Sequence, residues 1–312
     1  MDETAPVLHS RRHVLAAVGA AGCIPIAGCI GENASVRVLS AGSLAHTFED
    51  HIGPAFEDAT DIALHGEYYG ANAVMRMVED GTKHPDVIVS ADATLLRDRL
   101  YGQHTDWDVE FASNAVGIGY NEDVWFGERL GAGHPWYEIA LDAAEGDLSI
   151  GDPNLDPLGY RAVQAFELAG KEYDLDGFRD TMLDLVYIEP EEPQLMAGVE
   201  SGARAAAIVY QNMAVDHDMP FTAFPDAYNF ANAELADHYA SVHYTTDEEG
   251  YTAEGRPIRY NATVNEAADH PDTGLALIQF VIDHPELLVE AGLTVNQSLP
   301  TGHGAIPEEM EL

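Results

Sequence analysis

Alternating strands and helices predict an α/β fold for this 312-residue chain. Three observations carry that expectation. Val36 and Val38 alternate with polar residues and run into a glycine turn at Gly42. Apolar residues at helical spacing follow the turn, and Val87-Ile88-Val89 is the unbroken apolar run of a strand covered on both faces.

The elements justify themselves in order. Leu44, Phe48, Ile52 and Phe56 stand four apart and predict the first helix. Ile62 and Leu64 mark a second strand, Val74, Met77 and Val78 the next helix, and Val87–Val89 the third strand. That is βαβαβ, with ligands expected outside the carboxyl ends of the strands. Ala115-Val116-Gly117-Ile118-Gly119-Tyr120 reads as a further strand, Pro135 to Ile139 as a helix and Leu148 to Ile150 as a strand. After the turn Gly151-Asp152-Pro153-Asn154-Leu155-Asp156-Pro157, a helix starts near Leu158 with Val163 and Phe166 inward. Ala206 to Tyr210 is a short buried strand, and Thr245 to Gly255 an acidic surface insertion. Leu275, Ile278 and Ile282 give a last amphipathic helix before a coil at Pro300, Gly302 and Gly304. Trp107, Trp125 and Trp136 show no regular spacing and read as core.

The N-terminal residues read as an address rather than as fold. Paired Arg11 and Arg12 stand directly before an apolar run from Val14 to Gly22, too short to span a bilayer. This is the form of a twin-arginine export signal. Ile26-Ala27-Gly28-Cys29 then resembles a lipoprotein processing box; Ala20-Ala21-Gly22-Cys23 lacks the apolar residue three before its cysteine. The expectation is a signal peptide over residues 1–28, with Cys29 lipidated and holding the chain on the extracellular face of the membrane. Cleavage before Cys29 leaves no other cysteine, which excludes disulfides, thiolate metal sites and cysteine nucleophiles.

Acidic residues number 54 against 14 basic, a net charge of −40, and Lys83 and Lys171 are the two lysines. Hydrophobic content of 46% speaks for a folded protein, not an acidic tail. A carboxylate-rich, lysine-poor surface suits molar salt, where a Debye length of about 3 Å screens self-repulsion. Nothing here neutralises a phosphate backbone, so nucleic acid is excluded as a partner. The length suits one large or two modest domains, and a monomer is expected.

Ala41-Gly42-Ser43-Leu44 lies where the first strand becomes the first helix. Free backbone N–H groups, the helix dipole and the Ser43 hydroxyl would together form an anion site without lysine or arginine, or Ser43 is a plain N-cap. Further blocks follow in order: Phe48-Glu49, Ser90-Ala91-Asp92, Asn114-Ala115-Val116, Trp136-Tyr137-Glu138-Ile139, Asp152-Pro153-Asn154 with Asp156-Pro157 and Gly159-Tyr160-Arg161, and Pro257-Ile258-Arg259-Tyr260. In this arrangement the chain resembles the archaeal molybdate/tungstate-binding proteins of ABC importers. The resemblance implies a two-lobed type II periplasmic-binding-protein fold with two interlobe crossings. It places 29–112 plus 260–312 in one lobe and 113–259 in the other, with an oxyanion in the cleft and a permease and ATPase as partners. It implies no cofactor.

The family's ligand residues carry over unevenly. Its first serine matches Ser43. Its second follows the glycine matching Gly70, where this chain has Ala71 and Asn72, leaving an Ala71 backbone N–H or the Asn72 amide as donor. Its aspartate matches Asp156, which can also cap the helix that Pro157 opens. Its glutamate, which bonds the metal with that aspartate, is replaced by Val209, beside Tyr210. Loss of one carboxylate points instead to tetrahedral capture by Ser43, N–H groups near Ala71 and Gly159, and Tyr210, with Asp156 turned away or capping. Tyr210 read alone is a core tyrosine. No free metal ion is expected beyond an oxyanion metal that Asp156 would contact. The fourteen histidines show no ligand cluster, and on an α-helix His46 and His51 would lie on different faces. Ser90-Ala91-Asp92 reads as the cap of the next helix. Sulfate or another tetrahedral anion is the neighbouring ligand expectation. The different-class alternative is an exported hydrolase using Ser43, a histidine and Asp92.

Overall fold

The computed structural model describes residues 34–312 apart from 191 and 248, and Asn33–Leu312 forms one compact unit. The export signal, Cys23 and Cys29 lie outside the described residues. In chain order the strands are β1 (Ser35–Ala41), β2 (Ala63–Tyr69), β3 (Val87–Ser90), β4 (Trp107–Ala112), β5 (Val116–Tyr120), β6 (Leu148–Gly151) and β7 (Tyr187–Glu189). They continue with β8 (Ala206–Tyr210), β9 (Phe221–Ala223), β10 (His243–Thr245), β11 (Thr252–Glu254), β12 (Tyr260–Val264) and β13 (Thr301–Gly304).

A first sheet runs β13-β4-β12-β3-β1-β2, and a second runs β7-β6-β8-β5-β9. β1 pairs in parallel with β2 and β3, as the βαβαβ pattern predicts. β12 enters antiparallel between β3 and β4, so the sheet is mixed. In the second sheet β6 is parallel to β7 and β8, while β5 is antiparallel to β8 and β9. β3, β6, β8 and β12 are buried along their whole length, as expected of strands covered on both faces. The predicted coil near Pro300 is instead β13, an edge strand pairing Thr301–Gly304 with Glu110–Trp107. Its two glycines carry no alternating apolar signal, and its conformation is set by the neighbour. Trp107 and Trp136 are buried; Trp125 is half-buried.

The first helix is not uniform. It is 3₁₀ over Gly42–Leu44, π-helical over Thr47–Ile52 and α-helical over Gly53–Thr60. Leu44, Phe48, Ile52 and Phe56 are all buried. An α-helix turns about 100° per residue, so residues four apart drift by roughly 40° per step. The wider π turn takes up that drift and returns Phe56 to the core, where it meets Phe280 edge-on at 5.4 Å.

The chain passes between the sheets twice, from β4 to β5 and from β11 to β12. The two crossings are bonded to each other: Ser113 Oγ donates to the Ile258 carbonyl at 2.9 Å, and Arg259 Nη1 donates to Ser113 Oγ at 3.0 Å. The acidic insertion is the β10–β11 hairpin. Its Glu249 accepts from Arg76 Nη1 at 3.3 Å and Arg99 Nη1 at 2.6 Å, both on helices of the first sheet.

Candidate anion site

β1 delivers Ser43 to the place where the two sheets' helices meet. Its hydroxyl lies 3.4 Å from Tyr260 OH, and its carbonyl accepts from Asn212 Nδ2 at 2.6 Å. Asn114 Nδ2 donates both to Asn212 Oδ1 at 2.8 Å and to Tyr260 OH at 3.0 Å, so an amide chain ties the serine turn to both crossings. Ser43 is not the helix cap; Ala41 holds that position, without a side-chain bond.

The Ser43 backbone N–H meets a carboxyl that the sequence did not single out, that of Glu192. A Cβ on Gly42 would overlap the Glu192 carboxylate, so glycine permits this approach. Glu192 lies on the Glu192–Glu200 helix and is buried. Burial, with the charge of Asp156, pushes its carboxyl well above the usual range, against the pull of the Ser43 N–H.

Asp156 caps the Pro157–Glu172 helix, its Oδ1 accepting from Leu158 N at 2.6 Å and Gly159 N at 3.1 Å. Burial pushes its carboxyl up to about 7, opposed by those two N–H groups and assisted by Asp152. The Gly159 N–H, expected to be free for an anion, is therefore spent on Asp156. Ala71 and Asn72 open the Ala71–Glu79 helix, whose first-turn N–H groups have no intrahelical partner. The Asn72 N–H donates to the Leu155 carbonyl at 3.2 Å and its Nδ2 to the Asn154 carbonyl at 3.3 Å. Its donors thus hold the other lobe's turn rather than face a ligand, and its buried Oδ1 has no partner. A Cβ on Gly70 would strike the Leu155 carbonyl and Asp156, which explains glycine there. Tyr210 ends β8 with its hydroxyl buried and without a hydrogen bond. Burial raises it well above its ordinary value, with Arg161, Tyr260, Asp156 and Glu192 close enough to act on it.

Ser43, Ala71, Asn72, Asp156, Gly159 and Tyr210 are thus all buried and linked in one interlobe region, with Glu192 added and Gly159 and Asn72 in altered roles. The available signal for Glu192 was an acidic, proline-flanked run, Glu189-Pro190-Glu191-Glu192-Pro193, where helix-starting acids are ordinary.

Asp92 caps its helix as predicted, accepting from Thr94 N at 3.0 Å and Leu95 N at 3.2 Å. It also accepts, across the lobes, from Tyr160 OH at 2.8 Å and Arg161 Nη2 at 3.1 Å. The serine–histidine–Asp92 alternative is not assembled: Ser43 neighbours Tyr260, and Asp92 is held by Tyr160 and Arg161. A further sequence expectation is overturned. His46 and His51 share a face, because five residues span one π turn, and their rings lie 6.1 Å apart.

Two α/β lobes joined by two crossings define the architecture of the two-lobed type II periplasmic binding proteins. Among solved structures the periplasmic molybdate-binding protein of Azotobacter vinelandii superposes with a TM-score of 0.59 at 14% identity, over 84% of this chain and 100% of its own. The family model for bacterial extracellular solute-binding proteins matches residues 36–292, and the chain belongs to that family. An uncharacterized solute-binding protein of Halobacterium salinarum is 52% identical over the full length of both chains. A Haloferax volcanii protein named "Putative ABC transporter molybdenum-binding protein" is 37% identical over 96% of each.

Proposed function

We propose that this solute-binding protein captures molybdate or tungstate between its lobes, 29–112 plus 260–312 and 113–259, and delivers it to an ABC permease and ATPase. In this reading it works as a monomer on the extracellular face of the membrane, exported through its twin arginines and anchored at Cys29. The 37% relative named for molybdenum supports the cargo. The observation that carries the reading is the pair of buried carboxyls, Asp156 and Glu192, among neutral donors at Ser43, Ala71 and Tyr210.

Two carboxyls facing a dianion are unfavourable unless they bond its central atom or carry protons. Molybdenum and tungsten in their oxyanions accept further oxygen ligands; sulfur in sulfate does not. Glu192 thereby replaces, from another helix, the carboxylate absent at Val209. Calorimetric titration in molar salt tests the proposal: molybdate and tungstate bind tightly and sulfate weakly, and no heat from any of the three overturns it. Glu192→Gln weakens molybdate about 100-fold, or ~2.7 kcal/mol. A second reading, favoured by the use of Asp156 Oδ1 as a cap, keeps the anion tetrahedral and hydrogen-bonded. It predicts the opposite sign, because Glu192→Gln then removes a repulsive charge and tightens binding.

A further inference from the structure

A second cluster shares no residue with the anion site. His46 and His51 come from the segment around the Thr47–Ile52 π turn, and Asp216 ends the Gln211–Asp216 helix that follows β8. Each side chain is half-buried and offers a ligand atom, and the three atoms lie within 4.8 Å of one another. Asp50 places Oδ2 2.7 Å from His46 Nδ1, and that nitrogen makes no hydrogen bond among the described residues.

We propose that His46, His51 and Asp216 form a binding site for a divalent transition-metal ion of the zinc class. Two imidazoles and a carboxylate suit zinc, cobalt or nickel; calcium and magnesium prefer all-oxygen shells. Ligands about 2.0–2.1 Å from a tetrahedral ion lie roughly 3.3 Å apart. Closing from the present separation takes side-chain rotation of an ångström or so, which half-buried groups permit. A π turn is what makes the site, because α-helical winding would direct the two histidines apart. The ion would join an element of the first sheet to one of the second and so hold the lobes together.

The test is zinc chloride titrated against a chromophoric chelator, on the purified full chain at neutral pH in molar NaCl without oxyanion. Wild type binds one zinc at micromolar affinity or tighter, and His51→Asn and Asp216→Asn each weaken it at least about tenfold. Glu308→Gln, an exposed acid elsewhere, leaves the affinity unchanged. Absence of saturable one-to-one binding overturns the site, as does wild-type affinity in both variants. Should a variant not fold, cobalt on the wild-type chain decides. Visible absorption of a four-coordinate ion supports the site, and an aquo-ion spectrum overturns it.

Discussion

Two buried groups of charge join the lobes, and they are built on opposite principles. At the first, Asp92 meets Arg161 at 3.1 Å and Tyr160 at 2.8 Å while capping its own helix, so the negative charge is fully partnered. At the second, burial raises the proton affinity of both Asp156 and Glu192, Asp156 adding to the rise of Glu192, and among the described residues no cation is bonded to either and the Tyr210 hydroxyl has no hydrogen bond. Charge that holds structure is neutralised within the protein. In the reading proposed above, the unmatched charge is where the ligand binds.

The largest expected effect breaks the matched side. Arg161→Met leaves Asp92 buried without its cation and costs about 3–5 kcal/mol of stability, read by denaturant unfolding. The double variant with Asp92→Asn recovers part of that loss.

The unmatched side gives the next effect through pH. A carboxyl that titrates near 4 when unfolded and at about 7 when folded holds its proton more tightly in the native state. The contribution of Asp156 to the stability of the ligand-free protein therefore falls as pH rises from about 4 to 7, by roughly 2–4 kcal/mol. Glu192 acts in the same direction. Asp156→Asn flattens this slope in unfolding curves, and an unchanged slope would place the proton elsewhere.

Tyr210→Phe sharpens the contrast further. It weakens molybdate about tenfold, or ~1.4 kcal/mol, while lowering thermal stability only slightly, since the hydroxyl makes no well-formed hydrogen bond and has only the Arg161 guanidinium beside it. The smallest effect belongs to the rim. Glu249→Gln costs under about 1 kcal/mol at low salt and nothing measurable in molar salt.

The first sheet's parallel strands were legible because their burial follows from residues within each strand, as in Val36, Val38 and Val87–Val89. The strand β13 was not, because Thr301-Gly302-His303-Gly304 becomes a strand only through its neighbour β4. The π turn was hidden for a different reason: apolar residues four apart fit an α-helix tolerably, and only packing reveals the wider winding. Within the site, Ser43, Asp156 and Tyr210 stood at strand and helix ends, where position implies availability. Glu192 also opens a helix, but its importance depends on Gly42 and Ser43, far away in sequence. That the Gly159 N–H bonds Asp156 is a matter of side-chain rotamer, which the order of residues does not carry.

The hinge is made mostly of neutral amides and hydroxyls, Ser113, Asn114, Asn212 and Tyr260, with Arg259 adding a charged donor to Ser113, whereas the hairpin tip reaches the other lobe through Glu249 and two arginines. Dissolved ions weaken the second kind of contact and scarcely touch the first. As salt rises, the latch at the hairpin therefore loosens while the neutral contacts of the pivot persist.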